Sequence, residues 1–309
     1  MNSRTEPWDQ PTVHLGQADL TLILSLGDPS ARSACLVLYS GSVPGRRFDL
    51  HDGRLVVGRA PDCTLPLLES AGLSRHHAEL QVAGDVVQLR DLGSINGTYV
   101  NAQRVEDSVT LKDGDMLRLG EVLLKYFQRG SVDALLHDQI YRIATVDAGT
   151  EVFTKRYVMD ALERELRQAA RSGRPLAVLC LDLDHFKSVN DRWGHEAGDK
   201  VLREAAAAMH GSVRSGDIVG RIGGEEFLVV LPEATLAEAQ ALAERVRVAV
   251  ATRRVTLNQP DGSVAQHEQT VSIGVAALAA DMAGARELLA AGDARLYAAK
   301  HGGRNRVAA

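Results

Sequence analysis

The spacing of hydrophobic and polar residues predicts two domains of different class, the first of them all-β. Between residues 35 and 127, short apolar runs are broken at close intervals by Gly, Asp and Asn, which is typical of short strands joined by turns. The predicted strands are Cys35–Tyr39, Arg47–Leu50, Arg54–Gly58, Ala78–Val82, Val86–Asp91, Thr98–Val100, Met116–Leu119 and Leu123–Phe127. This pattern favours a small β-sandwich of two sheets.

From residue 147 onward, strand patterns and helix patterns alternate around one hairpin, which predicts an α+β sandwich. The predicted strands are Leu176–Leu181 and Thr270–Ala276, and the predicted hairpin is Ile218–Leu231. The predicted helices are Arg156–Arg171, Gly198–His210, one that opens with a Thr-x-x-Glu capping box at Thr235–Glu238, and Arg286–Lys300.

The predicted organisation is a flexible tail at residues 1–30, a β domain at 31–127, a helical connector at 128–146 and an α+β domain at 147–309. Within the tail, only Leu20–Leu24 has the pattern of a short strand. The connector carries a predicted helix at Ser131–Ala144, with its first residue as a candidate N-cap. Leu136, Ile140 and Ile143 fall at helical spacing. That face could pair with its copy in a dimer or pack on its own domain, and the sequence favours neither alternative.

Composition excludes several classes of partner. The 309 residues carry a formal net charge of −5, whereas a general binder of nucleic acid or anionic membranes needs excess positive charge. Cys35, Cys63 and Cys180 are widely separated and lie in or beside apolar runs, which favours buried, reduced thiols over a metal site. No apolar run approaches the roughly 20 residues of a membrane helix, and the first residues lack the apolar core of a signal peptide. We therefore expect a cytoplasmic protein with no nucleic-acid or membrane partner.

The stretch Arg221–Phe227 concentrates the candidate chemistry of the second domain. Its Gly-Gly pair lies between two apolar runs and predicts a tight hairpin turn that uses the positive φ of glycine, with Glu225 and Glu226 following. Upstream, Asp182 lies at the end of a predicted buried strand. If that strand pairs beside the hairpin, Asp182 and Glu225 become neighbours, and two such carboxylates repel unless a cation lies between them. Carboxylate oxygens suit Mg²⁺, which takes further ligands from substrate phosphates, so we predict a nucleotide–metal site.

Arg-Ile-Gly-Gly-Glu-Glu-Phe resembles the signature of the GGDEF domain of diguanylate cyclases, in its Gly-Gly-Glu-Glu-Phe form. The resemblance extends from about Asp147 to Asn305. Further matching segments are Asp182–Lys187, Asn190–Asp191, His195–Asp199, Val271–Ala276 and Lys300–Asn305. The resemblance implies a fold similar to the palm of nucleotidyl cyclases. It also implies Mg²⁺- or Mn²⁺-dependent condensation of two GTP molecules into cyclic di-GMP, with pyrophosphate leaving. Because one chain offers one nucleotide pocket, we expect catalysis by a homodimer.

The resemblance also implies roles for individual residues. Asp182, the Leu183 carbonyl and Glu225 would hold the metal ion, and Glu226 would support that site or activate the attacking hydroxyl. Asn190 and Asp199 would bind the edge of guanine, and the Asp199 carboxylate would reject adenine. Lys187, Lys300 and Arg304 would contact the phosphates of GTP, and the backbone at Gly223 and Gly224 would allow close approach of GTP. The implied catalytic residues are Asp182, Lys187, Glu225 and Glu226.

Two departures from the family pattern leave an alternative open. In the entry segment Asp147–Tyr157, Gly149 and Thr154 stand where the family has leucine and asparagine, which puts the packing or gating of that segment in doubt. The alternative function is a catalytically silent domain that binds GTP or cyclic di-GMP as a scaffold.

A four-residue motif before the hairpin matches the family's product-inhibition site. Arg214 and Asp217 have the Arg-x-x-Asp spacing of that site, and Arg245 on the following helix could assist. Arginine stacks on guanine and pairs with it, and aspartate accepts from its N–H edge. The alternative is an ordinary surface ion pair.

Three polar segments of the β domain resemble the forkhead-associated (FHA) domain: Gly58-Arg59, Leu73–His77 and Gly93–Asn101. The resemblance implies recognition of phosphothreonine. Arg59 and Ser74 would bind the phosphate and Arg75 would add positive charge. Asn96 would bind the ligand backbone, and His77 would brace the loop beneath. Taken singly, these residues also fit a surface arginine, a cap and an Asn-Gly hairpin.

The phosphothreonine could come from a partner protein or from the chain's own tail. Thr12 lies roughly 20 residues before the β domain, and a flexible linker of that length spans about 25 Å, enough to fold back. We hypothesise that phosphorylated Thr12 is an internal ligand for the pocket of Arg59 and Ser74. The alternative is a passive tail.

Overall fold

The computed structural model describes residues 33–40, 45–67, 72–258 and 263–309, and every statement below concerns these residues. The chain forms two compact units, Met1–Tyr141 and Arg142–Ala309, which we describe separately. The boundary falls inside the predicted connector. The predicted strand Leu20–Leu24 and the candidate ligand Thr12 lie outside the described residues.

The first unit is a β-sandwich of two sheets, as predicted. Its strands are β1 (Cys35–Leu38), β2 (Arg47–Asp49), β3 (Gly53–Gly58), β4 (Leu65–Pro66), β5 (Ala78–Ala83), β6 (Val86–Asp91), β7 (Thr98–Val100), β8 (Gln103–Arg104), β9 (Ser108–Thr110), β10 (Met116–Leu119) and β11 (Val122–Phe127). One sheet has the order β2-β1-β11-β10-β7-β8 and the other β4-β3-β5-β6-β9. Side chains such as Leu80 and Leu89 from one sheet and Leu117 and Leu124 from the other share one buried core. Strands β4, β8 and β9, of two or three residues each, were not predicted.

Helix α1 (Val132–Thr145) follows the sandwich, and one of its faces packs on the first unit. Ala134 shares a buried cluster with Cys35 and Phe127 of the sandwich. The predicted cap is present, since the Ser131 hydroxyl accepts a hydrogen bond from the Ala134 amide at 3.4 Å. Ile140 and Ile143, on the predicted apolar face, remain 60% and 75% exposed.

The second unit is an α+β domain around one sheet. Its strands are β12 (Phe153–Thr154), β13 (Leu176–Leu183), β14 (Ile218–Arg221), β15 (Glu226–Pro232), β18 (Val271–Ala277) and β19 (Val307–Ala308), in the order β12-β14-β15-β13-β18-β19, and a separate hairpin joins β16 (Arg254–Asn258) to β17 (Val264–Glu268). The helices are α2 (Lys155–Ser172), α3 (Phe186–Trp193), α4 (His195–Ser212), α5 (Leu236–Ala251) and α6 (Ala285–His301). Helix α3 and the β16–β17 hairpin were not predicted. The capping box at Thr235–Glu238 is present at the start of α5.

Strand β13 is the centre of this domain, and all eight of its residues are buried. Leu179 and Leu181 pack against α4 and α5, whereas Val178 and Cys180 pack against α2 and α6. A strand covered by helices on both faces needs an unbroken apolar sequence, which is the pattern seen before Asp182. Within the described ranges, no helix combines the length and apolar character required to cross a membrane.

Two glycines let α6 approach the sheet closely. A Cβ atom on Gly274 of β18 would lie 2.2 Å from the Gly292 carbonyl oxygen of α6, and one on Gly292 would lie 2.6 Å from Cys180 Sγ. Side chains at either position would push the helix outward. The close approach brings the C-terminal end of α6, with Lys300, to the end of β13.

Candidate functional sites

The predicted carboxylates meet where β13 ends and β15 begins. Asp182 lies directly opposite Glu226 in the antiparallel ladder, so both side chains project from the same face of the sheet. The Leu183 amide donates to the Glu225 carbonyl oxygen at 3.1 Å, which places the backbone before β15 beside the metal-ligand candidates of β13. Asp182 is buried, Glu225 is half-buried and Glu226 is exposed. The tertiary structure thus gathers four of the predicted site residues from two separate segments.

The electrostatics of this cluster favour a positive ion. Burial raises the pKa of Glu225, the charges of Asp182 and Glu226 raise it further, and Lys300 opposes them. The Lys300 ammonium lies 2.7 Å from Asp182 Oδ2. The paired carboxylates therefore attract a cation, and a lysine predicted to bind phosphate already reaches them.

The prediction about the Gly-Gly turn was wrong in its reason. Four residues separate β14 from β15, so the connection is not a two-residue hairpin turn. Neither Gly223 nor Gly224 has the left-handed φ that such a turn requires. A Cβ on Gly223 would lie 2.3 Å from Glu226 Oε2, but this atom is the far end of an exposed, flexible side chain that can turn away. Around Gly224 no atom of the described residues lies within 4 Å of the Cβ position, which leaves the backbone open. Glu225 precedes the strand, so strand alternation does not set its direction.

Arg221 fastens this turn to the entry segment, a role that the sequence analysis missed. Its guanidinium donates to the Gly224 carbonyl oxygen at 2.7 and 3.1 Å and pairs with Asp147 Oδ1 at 3.2 Å. Asp147 also accepts from the amide and hydroxyl of Thr150. The divergent Gly149 lies beside this pair, where a Cβ would be 3.4 Å from Arg221 Nη1. The other divergent residue, Thr154, keeps a capping role, since its hydroxyl accepts from the Tyr157 amide at the start of α2.

The two predicted guanine ligands lie on neighbouring helices, Asn190 on α3 and Asp199 at the start of α4. Gly198, the residue before Asp199, lets the Asn190 side chain pack against α4, because a Cβ on this buried residue would lie only 1.9 Å from Asn190 Oδ1. Lys187 is exposed in the first turn of α3. Gly198 lies in the segment His195–Asp199 that resembles the GGDEF family, but its packing against Asn190 could not be predicted from the sequence.

We predict that Gly198→Ala weakens GTP binding without destabilising the fold. The new methyl group would displace the Asn190 amide, so we expect the dissociation constant for GTP to rise about tenfold, the scale of one misplaced specificity contact. Alanine within a helix is favoured over glycine by about 1 kcal/mol, which offsets part of the crowding. Calorimetric titration with a non-reactive GTP analogue measures the effect. Gly211→Ala on the same helix is the matched control, since its Cβ meets no atom within 4 Å.

The residues of the predicted product-inhibition motif line a pocket of about 310 Å³ between the end of β15 and α5. Arg214 Nε lies 3.0 Å from Asp217 Oδ1, and the Arg214 amide donates to the same carboxylate. Arg245 lines the same pocket while its guanidinium donates to the Ser212 carbonyl oxygen at 2.7 and 3.1 Å. The three predicted residues are thus together, and Arg214 and Asp217 form the ion pair considered as the alternative.

In the first unit, the predicted phosphothreonine ligands gather at one end of the sandwich. The Arg59 amide donates to the Ser74 carbonyl oxygen at 3.1 Å, and the amide of Ala60 donates to that of Arg75. Ser74 Oγ accepts from the Ile95 amide at 3.1 Å, which leaves its hydroxyl proton available to a ligand. Asn96 donates to the Gly72 carbonyl oxygen at 2.7 Å. Arg59, Arg75 and Asn96 are exposed, and Ser74 is half-buried.

His77 lies beneath these loops and joins them. Its Nδ1 accepts from the Ser74 amide at 3.1 Å, and its Nε2 lies 3.2 Å from the Gly97 carbonyl oxygen, so the neutral ring with the proton on Nε2 fits both contacts. The ring is fully buried, and burial lowers its pKa from the ordinary 6.5. A protonated ring would set an N–H against the Ser74 N–H.

We predict that acid destabilises the first unit through His77. The folded-state pKa is lower than the unfolded one, so stability is complete above pH 6.5 and falls as the unfolded chain takes up a proton below it. The expected loss is at most about 1 kcal/mol between pH 6.5 and 5.5, the limit for one proton taken up only by the unfolded chain. Scanning calorimetry of the full chain at several pH values tests this against His77→Gln, whose amide can donate and accept without titrating. An equal pH dependence in both proteins would contradict the prediction.

Asp91 orders the loop that carries Asn96 and was also missed. Its carboxylate accepts from the amides of Gly93 and Ser94 and from the hydroxyls of Ser94 and Thr98. Burial alone would raise the pKa of Asp91, but these hydrogen bonds outweigh it and lower the pKa. An aspartate two residues before a glycine is a recognisable Asx-turn signal.

All three cysteines are free and buried, as predicted. Cys63 lies near Asp62 and His76, which are themselves 3.1 Å apart. Its thiol donates to the Arg75 carbonyl oxygen at 3.2 Å, and burial raises its pKa, which disfavours the thiolate that a metal ion would require.

Comparison with known proteins gives two family matches in the predicted order. The family described as "Diguanylate cyclase, GGDEF domain" matches residues 144–306, slightly more than half of the chain. The FHA domain family matches residues 55–120.

Individual relatives match the second unit. The response regulator PleD of Caulobacter vibrioides is 37% identical over 170 residues, which are 55% of this chain and 37% of PleD. Diguanylate cyclase DosC of Escherichia coli is 39% identical over 178 residues, 56% of this chain and 37% of DosC. The match thus spans little more than a third of these relatives. The coiled coil and GGDEF domain of DgcB from Caulobacter crescentus, in complex with c-di-GMP, superposes with a TM-score of 0.52 at 32% identity, over 55% of this chain and 88% of that one.

Proposed function

Because the chain belongs to the GGDEF family and carries an FHA domain before its GGDEF domain, we propose that it condenses two GTP molecules into cyclic di-GMP and releases pyrophosphate. The observation that carries this proposal is the convergence of Asp182, Glu225 and Glu226 beside Lys300. All four lie at one end of the sheet, next to a turn whose backbone is open at Gly224.

The donor set fits a divalent metal ion. Two carboxylates that repel each other and draw a lysine ammonium to 2.7 Å form a cation site, and oxygen ligands suit Mg²⁺ or Mn²⁺. We propose that Asp182, the Leu183 carbonyl and Glu225 hold the ion. When bound, such an ion supplies acidification of the attacking 3′-hydroxyl and neutralisation of charge on the phosphate.

The other residues bind and orient the substrate. Asn190 and Asp199 would accept and donate along the guanine edge, and the carboxylate of Asp199 would face the N–H donors that guanine has and adenine lacks. Lys187, Lys300 and Arg304 would bind the triphosphate as cations. Glu226 would support the metal ligands or accept the proton of the attacking hydroxyl, since its exposed carboxylate lies opposite Asp182.

Two chains are required by the stoichiometry. The described residues contain one such carboxylate cluster and one set of proposed guanine ligands, Asn190 and Asp199, whereas the product joins two nucleotides. We therefore propose that two copies of the GGDEF domain face each other with one GTP each. The FHA domain, by binding a phosphothreonine on a partner or at Thr12, would regulate how the two copies meet.

The pocket of Arg214, Asp217 and Arg245 is the proposed inhibitory site. Cyclic di-GMP offers guanine edges and phosphates that suit an arginine and a carboxylate. Binding would replace the pairing of Arg214 with Asp217 by pairing with the nucleotide. The product would then limit its own synthesis.

Incubation of the full chain with GTP and Mg²⁺, followed by mass spectrometry, tests the activity. We expect cyclic di-GMP and pyrophosphate from GTP and no cyclic dinucleotide from ATP. Binding of GTP without product would instead support the alternative scaffold function. A chain that neither binds GTP nor forms product would overturn both.

A further inference from the structure

The loop after α6, which carries the predicted phosphate ligand Arg304, has a strained backbone. Gly303 has a φ of 115°, and the next two residues, Arg304 and Asn305, have φ values of 61° and 44°. This left-handed conformation is unfavourable for residues with a Cβ atom and persists only where the surroundings hold it. The contacts that hold this loop therefore decide where Arg304 lies.

Asp184 is the first of these contacts. This buried carboxylate accepts hydrogen bonds from Thr270 Oγ1 at 2.8 Å, Ser272 Oγ at 2.6 Å and the Asn305 amide at 3.0 Å. The two hydroxyls fix the carboxylate to the sheet, and the third bond ties the loop to it. Because Asp184 follows Asp182 by two residues, the loop is registered against the proposed metal ligands.

Arg247 on α5 holds the same loop residue from the other side. Its Nη1 donates to Asn305 Oδ1 at 2.7 Å. Its Nε and Nη2 pair with Glu244 at 2.9 and 2.6 Å, so the guanidinium is already oriented when it meets the loop. Asn305 is thus held through its backbone by Asp184 and through its side chain by Arg247.

We propose that Asp184 and Arg247 are positioning residues that clamp Asn305 and thereby hold Arg304 where a triphosphate binds beside Asp182. Neither residue needs to touch the substrate. Their effect passes through a loop whose backbone would otherwise leave the left-handed region. The inference rests on the proposed function, in which Arg304 binds phosphate.

The test compares a ligand that has the triphosphate with one that lacks it. The full chain is titrated calorimetrically, with Mg²⁺, using α,β-methylene-GTP and, separately, GMP. For Arg247→Gln we expect the dissociation constant of α,β-methylene-GTP to rise about tenfold, as for a misplaced binding group, and that of GMP to change by less than about twofold. Arg247→Lys should restore part of the loss, since an ammonium can still reach Asn305 Oδ1.

Asp184→Asn should raise the dissociation constant of α,β-methylene-GTP further than Arg247→Gln does. The new amide N–H group would face the hydroxyls of Thr270 and Ser272 or the Asn305 amide, which are themselves donors. The melting temperature of each variant is measured to separate loss of fold from loss of position. Arg247→Gln keeps the test valid if Asp184→Asn unfolds, because the Arg247 side chain is still 19% exposed whereas Asp184 is buried. Arg253→Gln is the matched control, since Arg253 pairs with Glu204 and not with the loop.

Equal losses for both ligands, or no loss for either, would overturn the clamp. Wild-type protein that binds α,β-methylene-GTP but makes no cyclic di-GMP would refute the proposed activity and leave the clamp standing. The clamp is tested by the dissociation constants of α,β-methylene-GTP and GMP, which do not depend on turnover. Wild-type protein that binds neither ligand would refute both.

Discussion

Replacement of Asp182 by asparagine is expected to lower kcat/KM for cyclic di-GMP synthesis by more than about 100-fold. Loss of a residue that merely supports a metal ligand costs about 10- to 100-fold, and Asp182 is proposed as a ligand itself. The amide keeps the shape of the side chain but removes one of the two charges that form the cation site with Glu225. Turnover is measured by release of pyrophosphate, and metal affinity by the electron paramagnetic resonance of Mn²⁺.

The fold is expected to survive this substitution, because removal of the repulsion between Asp182 and Glu225 offsets the loss of the ion pair between Asp182 and Lys300. The melting temperature without metal should therefore stay close to that of the wild type, while Mn²⁺ binding weakens in parallel with kcat/KM. Asp160→Asn on α2 is the matched control, since Asp160 is exposed and faces Arg156 on the same helix. Full activity in Asp182→Asn would refute the proposed metal site.

Replacement of Arg59 by alanine is expected to weaken binding of a phosphothreonine peptide about 100-fold. A hydrogen bond to a charged group contributes about 1.5 kcal/mol or more, so loss of a two-bond guanidinium–phosphate contact costs about 3 kcal/mol. The probes are a degenerate phosphothreonine peptide pool and a synthetic tail peptide phosphorylated at Thr12, followed by fluorescence anisotropy.

Arg129→Ala is the matched control. Arg129 pairs with Asp85 in the turn after β5, at the opposite end of that strand from Ser74. Unphosphorylated peptides should bind the wild type and the Arg59→Ala variant equally weakly. Undiminished binding of the pool by Arg59→Ala would contradict the phosphate role, and binding of the pool but not the Thr12 peptide would assign the ligand to a partner protein. If the Thr12 peptide binds, Thr12→Ala in the full chain should change the rate of cyclic di-GMP synthesis.

Several local features could be predicted because they depend only on residues that are close together in the sequence. The strands β5 and β6, the capping box of Thr235 and Glu238 and the buried run before Asp182 each follow from the period or the turn chemistry of consecutive residues. The hairpin β16–β17 and helix α3 escaped prediction, since polar sequences such as that of β17 lack a periodic apolar signal.

The candidate sites were predicted only in part, for the same physical reason. Residue types that bind metal, guanine or phosphate could be recognised in their motifs, but residues that act by holding others could not. Arg221 pairs with Asp147 and Asp184 binds the Asn305 amide across the fold, and nothing in their immediate neighbours reveals these partners. Asp91 differs, because its Asx-turn signal is local and could have been recognised.

The sequence by itself determined the two domain classes, their order and the set of chemically competent residues, because these depend on periodicity and residue type. Only the tertiary structure decided that Asp182 faces Glu226 across two strands, that Lys300 reaches Asp182, and that Asn305 is held between Asp184 and Arg247. Such contacts join segments far apart in the chain, and their geometry follows from strand register and from how closely a helix packs on the sheet, which no local pattern specifies.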